Sequence, residues 1–161
     1  MHTTLLAPPP ARTASPFDLD DEVSYGRWRA WKLANRPLNT AALTVGIVDP
    51  RALQPAERSA LLTVIERTSF AVYRSPLTTE DKDIARRLGA QLGLHRLDAN
   101  WLADEDGISR IAVSTASDGR GGFIPYTDRA IRWHTDGYYH PAERRIRGMI
   151  LHCVRPAASG G

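Results

Sequence analysis

The chain has little sulfur chemistry to offer. Cys153 is its single cysteine, so no disulfide forms within the chain and no thiol pair exists to build a zinc ribbon. Set in an apolar run, Cys153 is expected to pack as a small hydrophobe. No apolar run approaches the roughly 20 residues that cross a bilayer, and residues 1 to 16 hold no basic segment leading into an apolar one. These readings set the expectation of a cytoplasmic protein with no membrane partner. Charge of one sign is also scarce, because 21 Lys and Arg against 18 Asp and Glu leave a net charge of only +3. The densest basic patch, Arg144, Arg145 and Arg147, has no row of aromatics beside it. It reads as a solvated loop or an anion-steering rim, and a nucleic-acid partner is not expected. The glycines at Ser117-Asp118-Gly119-Arg120-Gly121-Gly122 lead into no helix and lack the Lys-Ser/Thr ending of a phosphate loop. No internal repeat is visible.

What the chain does have is the balance of a globular domain: 42% hydrophobic and 24% charged residues over 161 positions. That length allows one domain with a real core and not two ordinary ones. Residues 1–17, with Pro8-Pro9-Pro10 and scattered Thr and Ala, offer little to bury and read as a disordered leader. Asp18 to Asp21 suit a helix N-terminus, with Val23, Trp28 and Trp31 as one face before Arg36-Pro37. Leu43 to Val48 reads as a strand ended by Asp49-Pro50. Pro55 opens a helix over about 55 to 67 on the spacing of Leu61, Val64 and Ile65. Phe70 to Tyr73 reads as a strand covered on both faces. Thr78 and Asp81 look like a capping pair for a helix lined by Ile84, Ala85 and Leu88 and closed by Gly93.

The second half changes character. His95 to Gly107 is an acidic connecting loop anchored by Trp101 and Leu102, with His95 as a surface residue after the helix end. Arg110 to Thr115 is a candidate strand, Phe123 to Tyr126 an edge strand or bulge because of Pro125, and Arg147 to Val154 a last strand. Short β segments between turns suit a jelly-roll or cupin-like barrel.

The chemistry concentrates in Ile131-Arg132-Trp133-His134-Thr135-Asp136-Gly137-Tyr138-Tyr139. If this stretch is extended, His134 and Asp136 project from one side while Trp133 and Thr135 project from the other. An imidazole and a carboxylate projecting together are two thirds of the facial triad that holds non-haem iron(II). His-x-Asp alone is a common triplet, and its surroundings give it weight: an aromatic before the His, Gly after the Asp, two tyrosines, Pro141, a basic loop, and Met149-Ile150-Leu151 running on to Gly160-Gly161.

That arrangement resembles the region around the first two iron ligands in the taurine dioxygenase-like family of iron(II)/2-oxoglutarate-dependent oxygenases. The resemblance extends from about Tyr25 to Gly161 and is sharpest from Tyr126 onward. It implies an α+β fold, in which N-terminal helices pack on an incomplete double-stranded β-helix over residues 18–161. It implies His134 and Asp136 as iron(II) ligands and catalytic residues, with 2-oxoglutarate as cosubstrate. Molecular oxygen and a small organic substrate would be the reaction partners, with Tyr126, Tyr138 and Tyr139 as candidates to edge the substrate pocket. Family members also carry a Thr and an Arg for 2-oxoglutarate and a distal His ligand, and none of these maps onto this sequence. No spacing singles out one arginine for that role, so the cosubstrate-binding residues are unassigned.

Three readings follow. The first is a truncated or split dioxygenase whose missing half comes from elsewhere, for instance a second chain. Another is a non-catalytic subunit or pseudoenzyme that binds a partner chain through an open strand edge. The third is a small metal-binding protein using His134, Asp136 and His140, with zinc in a hydrolytic role. His140 shares parity with the pair but reaches it only if Gly137 bends the chain sharply. His152, on the face of Ile150 and Val154, reads as a buried, hydrogen-bonded structural His.

Overall fold

The computed structural model describes residues 14–98, 102–114 and 119–158. These fall into two compact units, one of residues up to 45 together with 59–74, the other of 46–58 together with 75 onward.

In the first unit, helix α1 spans Glu22–Ala34. Asp21 starts it by accepting the Ser24 amide at 2.9 Å, and that bond holds the Asp21 carboxyl below its ordinary range. Glu22 and Lys32 sit at the ends that the helix dipole favours, and Asn35 closes the last turn on the Trp31 carbonyl at 2.9 Å. No α1 side chain is buried. Its aromatics pack on one another and on the preceding segment: Tyr25 lies 5.9 Å from Trp28, and Phe17, ahead of the helix, meets Trp28 edge-on at 5.7 Å. Strand β1, Thr44–Gly46, and strand β2, Val72–Arg74, form a parallel two-stranded sheet connected through helix α2, Pro55–Thr68. The Lys32 ammonium donates to the Arg67 carbonyl at 3.1 Å and the Ser69 hydroxyl at 2.8 Å, occupying carbonyls that the end of α2 leaves open.

In the second unit, the start of α2 is fixed by Glu57, whose two carboxylate oxygens accept the Val48 and Gln54 amides at 2.8 Å each. With Gln54 before the helix and Pro55 at its first position, this is the back-bonding half of a capping box. Helix α3, Asp83–Gln91, buries Ile84 and Leu88 completely or nearly so, and Ile47 and Pro50 are buried in the same unit. Gly93, at φ +90°, ends α3: its amide reaches the Ala90 carbonyl at 3.1 Å, and the Leu94 amide reaches the Gly89 carbonyl at 2.8 Å. This double closure needs a residue tolerant of left-handed backbone.

Several expectations are corrected. The α3 start is capped by Asp81, which accepts the Asp83 amide at 2.9 Å, and Lys82 at the cap position contributes no side-chain bond. Thr78 takes no part in that cap. Strand β2 is not covered on both faces, since Val72 and Arg74 are exposed and only Tyr73 is half-buried. The face of Val23, Trp28 and Trp31 is not a buried one. Residues 110–114 form no strand, Thr115 lying outside the described residues; Ile124–Tyr126 is a turn of 3-10 helix, and 147–154 forms no strand. Among the described residues no strand follows Arg74, so helices with a small sheet are present and the expected half-barrel is not. The cause is physical: a strand exists only through a repeated ladder of hydrogen bonds to a neighbour, and in these segments a bond such as that of the Ser114 amide to the Tyr126 carbonyl at 2.8 Å is not a ladder. Their alternation survives as burial, with Ile150, His152 and Val154 half-buried and Leu151 and Cys153 exposed. Cys153 is therefore not the packed hydrophobe expected; its Sγ contacts the Arg155 carbonyl at 3.3 Å. Trp101 lies outside the described residues, as do residues 1–13 of the expected leader.

Candidate metal centre

His134 and Asp136 are brought together, but not by a strand. The chain runs irregularly through residues 131–135 and enters a turn at Asp136, which Gly137 continues at φ +65°. The His134 Nδ1 lies 2.8 Å from the Arg132 carbonyl. A carbonyl only accepts, so Nδ1 carries the proton in the neutral ring and Nε2 keeps a free lone pair. That Nε2 stands 3.6 Å from the Asp136 Oδ1. The separation exceeds a hydrogen bond and approaches the ~3 Å between neighbouring donors on one ion bound at about 2.1 Å. Both side chains are about half exposed, 50% and 47%, so an ion can reach them. An imidazole pinned through its far nitrogen by a backbone carbonyl is also how metal-binding histidines are oriented. The donor set therefore fits part of an iron(II) site. Among the described residues no third His, Cys, Asp or Glu completes the group.

His140 is not drawn to the pair. Its Nδ1 faces the Arg144 carbonyl at 3.1 Å and the Asp98 carboxylate at 3.6 Å, with the side chain only 15% exposed. Asp98 also receives one Arg144 nitrogen on both oxygens, at 2.8 and 3.1 Å, which holds its carboxyl below the usual carboxylate range. Gly137 is needed where it stands. A Cβ there would fall 2.6 Å from the Ile146 Cδ1, and the backbone is left-handed.

Tyr138 and Tyr139 are exposed and meet edge-on at 5.3 Å, and Tyr139 packs on the His140 ring at 4.8 Å. Tyr126 is buried, with Arg120 over its ring at 5.3 Å and its carbonyl accepting the Ser114 amide at 2.8 Å. A buried ring has no open face for a substrate, so Tyr126 serves packing. His152 is half-buried and His95 exposed. Of the basic patch, Arg144 is committed to Asp98.

Two arrangements were not read from sequence. One is Asp98, which looks like any acid of the 95–107 loop until the chain brings Arg144 to it. The other is the Lys82 ammonium between Asp104 at 2.6 Å and Asp106 at 3.1 Å, with Arg120 also on Asp104 at 2.9 Å. Lys82 and Arg120 together push the Asp104 pKa down to about 2, while the Lys82 pKa is raised. Elsewhere, in the first unit, a shallow groove of about 190 Å³ is lined by Trp31, Asn35, Thr63, Glu66 and Arg67, none of them an expected ligand.

An imidazole and a carboxylate two positions apart share an accessible gap, and they are of the residue types found in the 2-His-1-carboxylate triad. The model for the taurine catabolism dioxygenase TauD, TfdA family matches residues 33–161, and the chain belongs to that family. Comparison with curated proteins and with solved structures gives no match.

Proposed function

We propose that the chain contributes the His134 and Asp136 ligands to an iron(II)/2-oxoglutarate-dependent oxygenase that hydroxylates a small organic substrate. The observation that carries this reading is the 3.6 Å gap between His134 Nε2 and Asp136 Oδ1 in a chain of the TauD, TfdA family. When bound, iron(II) with 2-oxoglutarate supplies the activation of molecular oxygen that hydroxylation needs. The chain's own residues do the positioning. The Arg132 carbonyl holds the His134 ring so that Nε2 faces the gap, and the turn at Gly137 holds Asp136 toward it. Tyr138 and Tyr139, beside the pair in sequence and exposed, are the aromatic surface available to a substrate, and the arginines 129, 132, 145 and 147 are available to draw in a dicarboxylate. The third ligand and the Arg that grips 2-oxoglutarate come from outside the described residues, either from further polypeptide or from a second chain.

The anaerobic charge-transfer band of iron(II) with 2-oxoglutarate tests this. The band should appear when the chain is combined with the polypeptide supplying the distal His, and should vanish in His134→Ala and Asp136→Ala. A band that survives both substitutions overturns the assignment.

A second reading has its own support. Ile111, Val113, Ile131, Trp133, Met149 and Leu151 are all more than half exposed, an unusual load of open apolar side chains. A non-catalytic subunit that uses these residues to bind a partner chain would form a stable complex without metal. The small metal protein built on His134, Asp136 and His140 has no such support, because His140 is engaged with Arg144 and Asp98.

A further inference from the structure

The turn that carries Asp136 is closed on itself and joined by a charged contact to a segment upstream. The His140 amide donates to the Gly137 carbonyl at 2.9 Å and the Arg144 amide to the Pro141 carbonyl at 2.9 Å. Within the same loop, His140 Nδ1 meets the Arg144 carbonyl at 3.1 Å, and the Ile146 side chain fills the space over Gly137. These contacts make 137–146 a compact ring, but none of them ties it to another segment. Asp98 does. Lying 46 residues upstream, just past the end of α3, it takes Arg144 on both carboxylate oxygens at 2.8 and 3.1 Å and stands 3.6 Å from His140 Nδ1.

We propose that Asp98 is a positioning residue for the metal pair, acting through Arg144 on the loop that fixes the backbone leaving Asp136. The inference rests on the metal reading of His134 and Asp136 and deepens it. The physical argument is one of leverage. Asp136 is the first residue of the turn, so any freedom of the 137–146 ring reaches its Cα directly. His134, in contrast, is oriented locally by the Arg132 carbonyl. One ligand is set within its own segment, the other through a long-range charged clamp. The bonds are charge-assisted, and although they come from one guanidinium nitrogen they tie the loop to a segment 46 residues away. His140 is occupied within the loop itself, with its Nδ1 on the Arg144 carbonyl at 3.1 Å and the Asp98 carboxylate beyond hydrogen-bond reach at 3.6 Å.

The test uses the full chain, with cobalt(II) as the probe metal and hydrogen exchange as the metal-free readout. In Asp98→Asn, the His140 and Arg144 amides should exchange at least about fivefold faster. Cobalt(II) affinity that depends on His134 should fall roughly tenfold, the usual effect of losing an outer support. Asp98→Glu, which keeps the charge, should recover most of both and guards against a misfolded Asn variant. Unchanged exchange in Asp98→Asn overturns the clamp, and faster exchange with unchanged cobalt(II) affinity overturns its role at the site. Absence of any His134-dependent cobalt(II) binding, both in the unsubstituted chain and in its combination with the polypeptide supplying the distal His, instead overturns the metal reading itself, together with the inference built on it.

Discussion

His134 Nε2 faces Asp136 Oδ1 at 3.6 Å, although the backbone between them is not a strand. Strand alternation would place the two side chains on one side. Here the same meeting is achieved by an imidazole pinned backward onto the Arg132 carbonyl and a turn that begins at the acid.

That pinning predicts a tautomer. Long-range proton–nitrogen correlation of the metal-free chain should find the neutral His134 ring protonated on Nδ1. A proton on Nε2 would mean that the lone pair points at the carbonyl and not at the gap, and the site could not bind as described.

Gly137→Ala should disturb the pair without touching it. The new methyl meets Ile146 at 2.6 Å and the backbone must hold φ +65°. Strain of this sort costs on the order of 1–3 kcal/mol. Its expected signature is faster exchange at the His140 amide and weakened metal binding, with helices α1 and α2 unaffected by circular dichroism. A variant indistinguishable from wild type in both would show that the turn is not constrained.

Acid should loosen the second unit through Asp104. Its folded pKa of about 2 lies below the ordinary 3.8, so its contribution is present above about pH 4 and is lost as the pH falls toward 2. Asp104→Asn should therefore be less stable than wild type at neutral pH and should show a shallower decline between pH 4 and 2. Added salt should narrow the difference, since the groups are partly exposed. Parallel acid-unfolding curves for the two proteins would contradict the assignment.

Glu57 tests the local logic of α2. Glu57→Ala frees the Val48 and Gln54 amides together and should cost about 1 kcal/mol by denaturant melts. Glu57→Gln should recover part of that, because an amide oxygen can still accept one of the two bonds. No loss in Glu57→Ala would mean that solvent serves both amides equally well.

The contrast between these elements explains what could be read from sequence. Pro55 at the start of α2, and Gly93 after α3, act within a single helical turn, so their residues announce them. Asp21 before α1 does the same. The β segments announce themselves only by alternation, and alternation needs a neighbour to become a strand. Residues 150–154 keep the alternating burial and form no ladder. The His-x-Asp pair was legible because both donors sit in one short motif. Asp98 was not, because a clamp between residues 46 positions apart leaves no periodic trace.

The most direct test of the central claim is paramagnetic broadening of the histidine ring signals of the full chain as cobalt(II) is added. The account predicts that His134 broadens first, with His95 and His152 spared, and that Asp136→Ala shifts the His134 response to much higher metal concentration. Broadening that begins at another histidine, or a His134 response indifferent to the loss of Asp136, would contradict it.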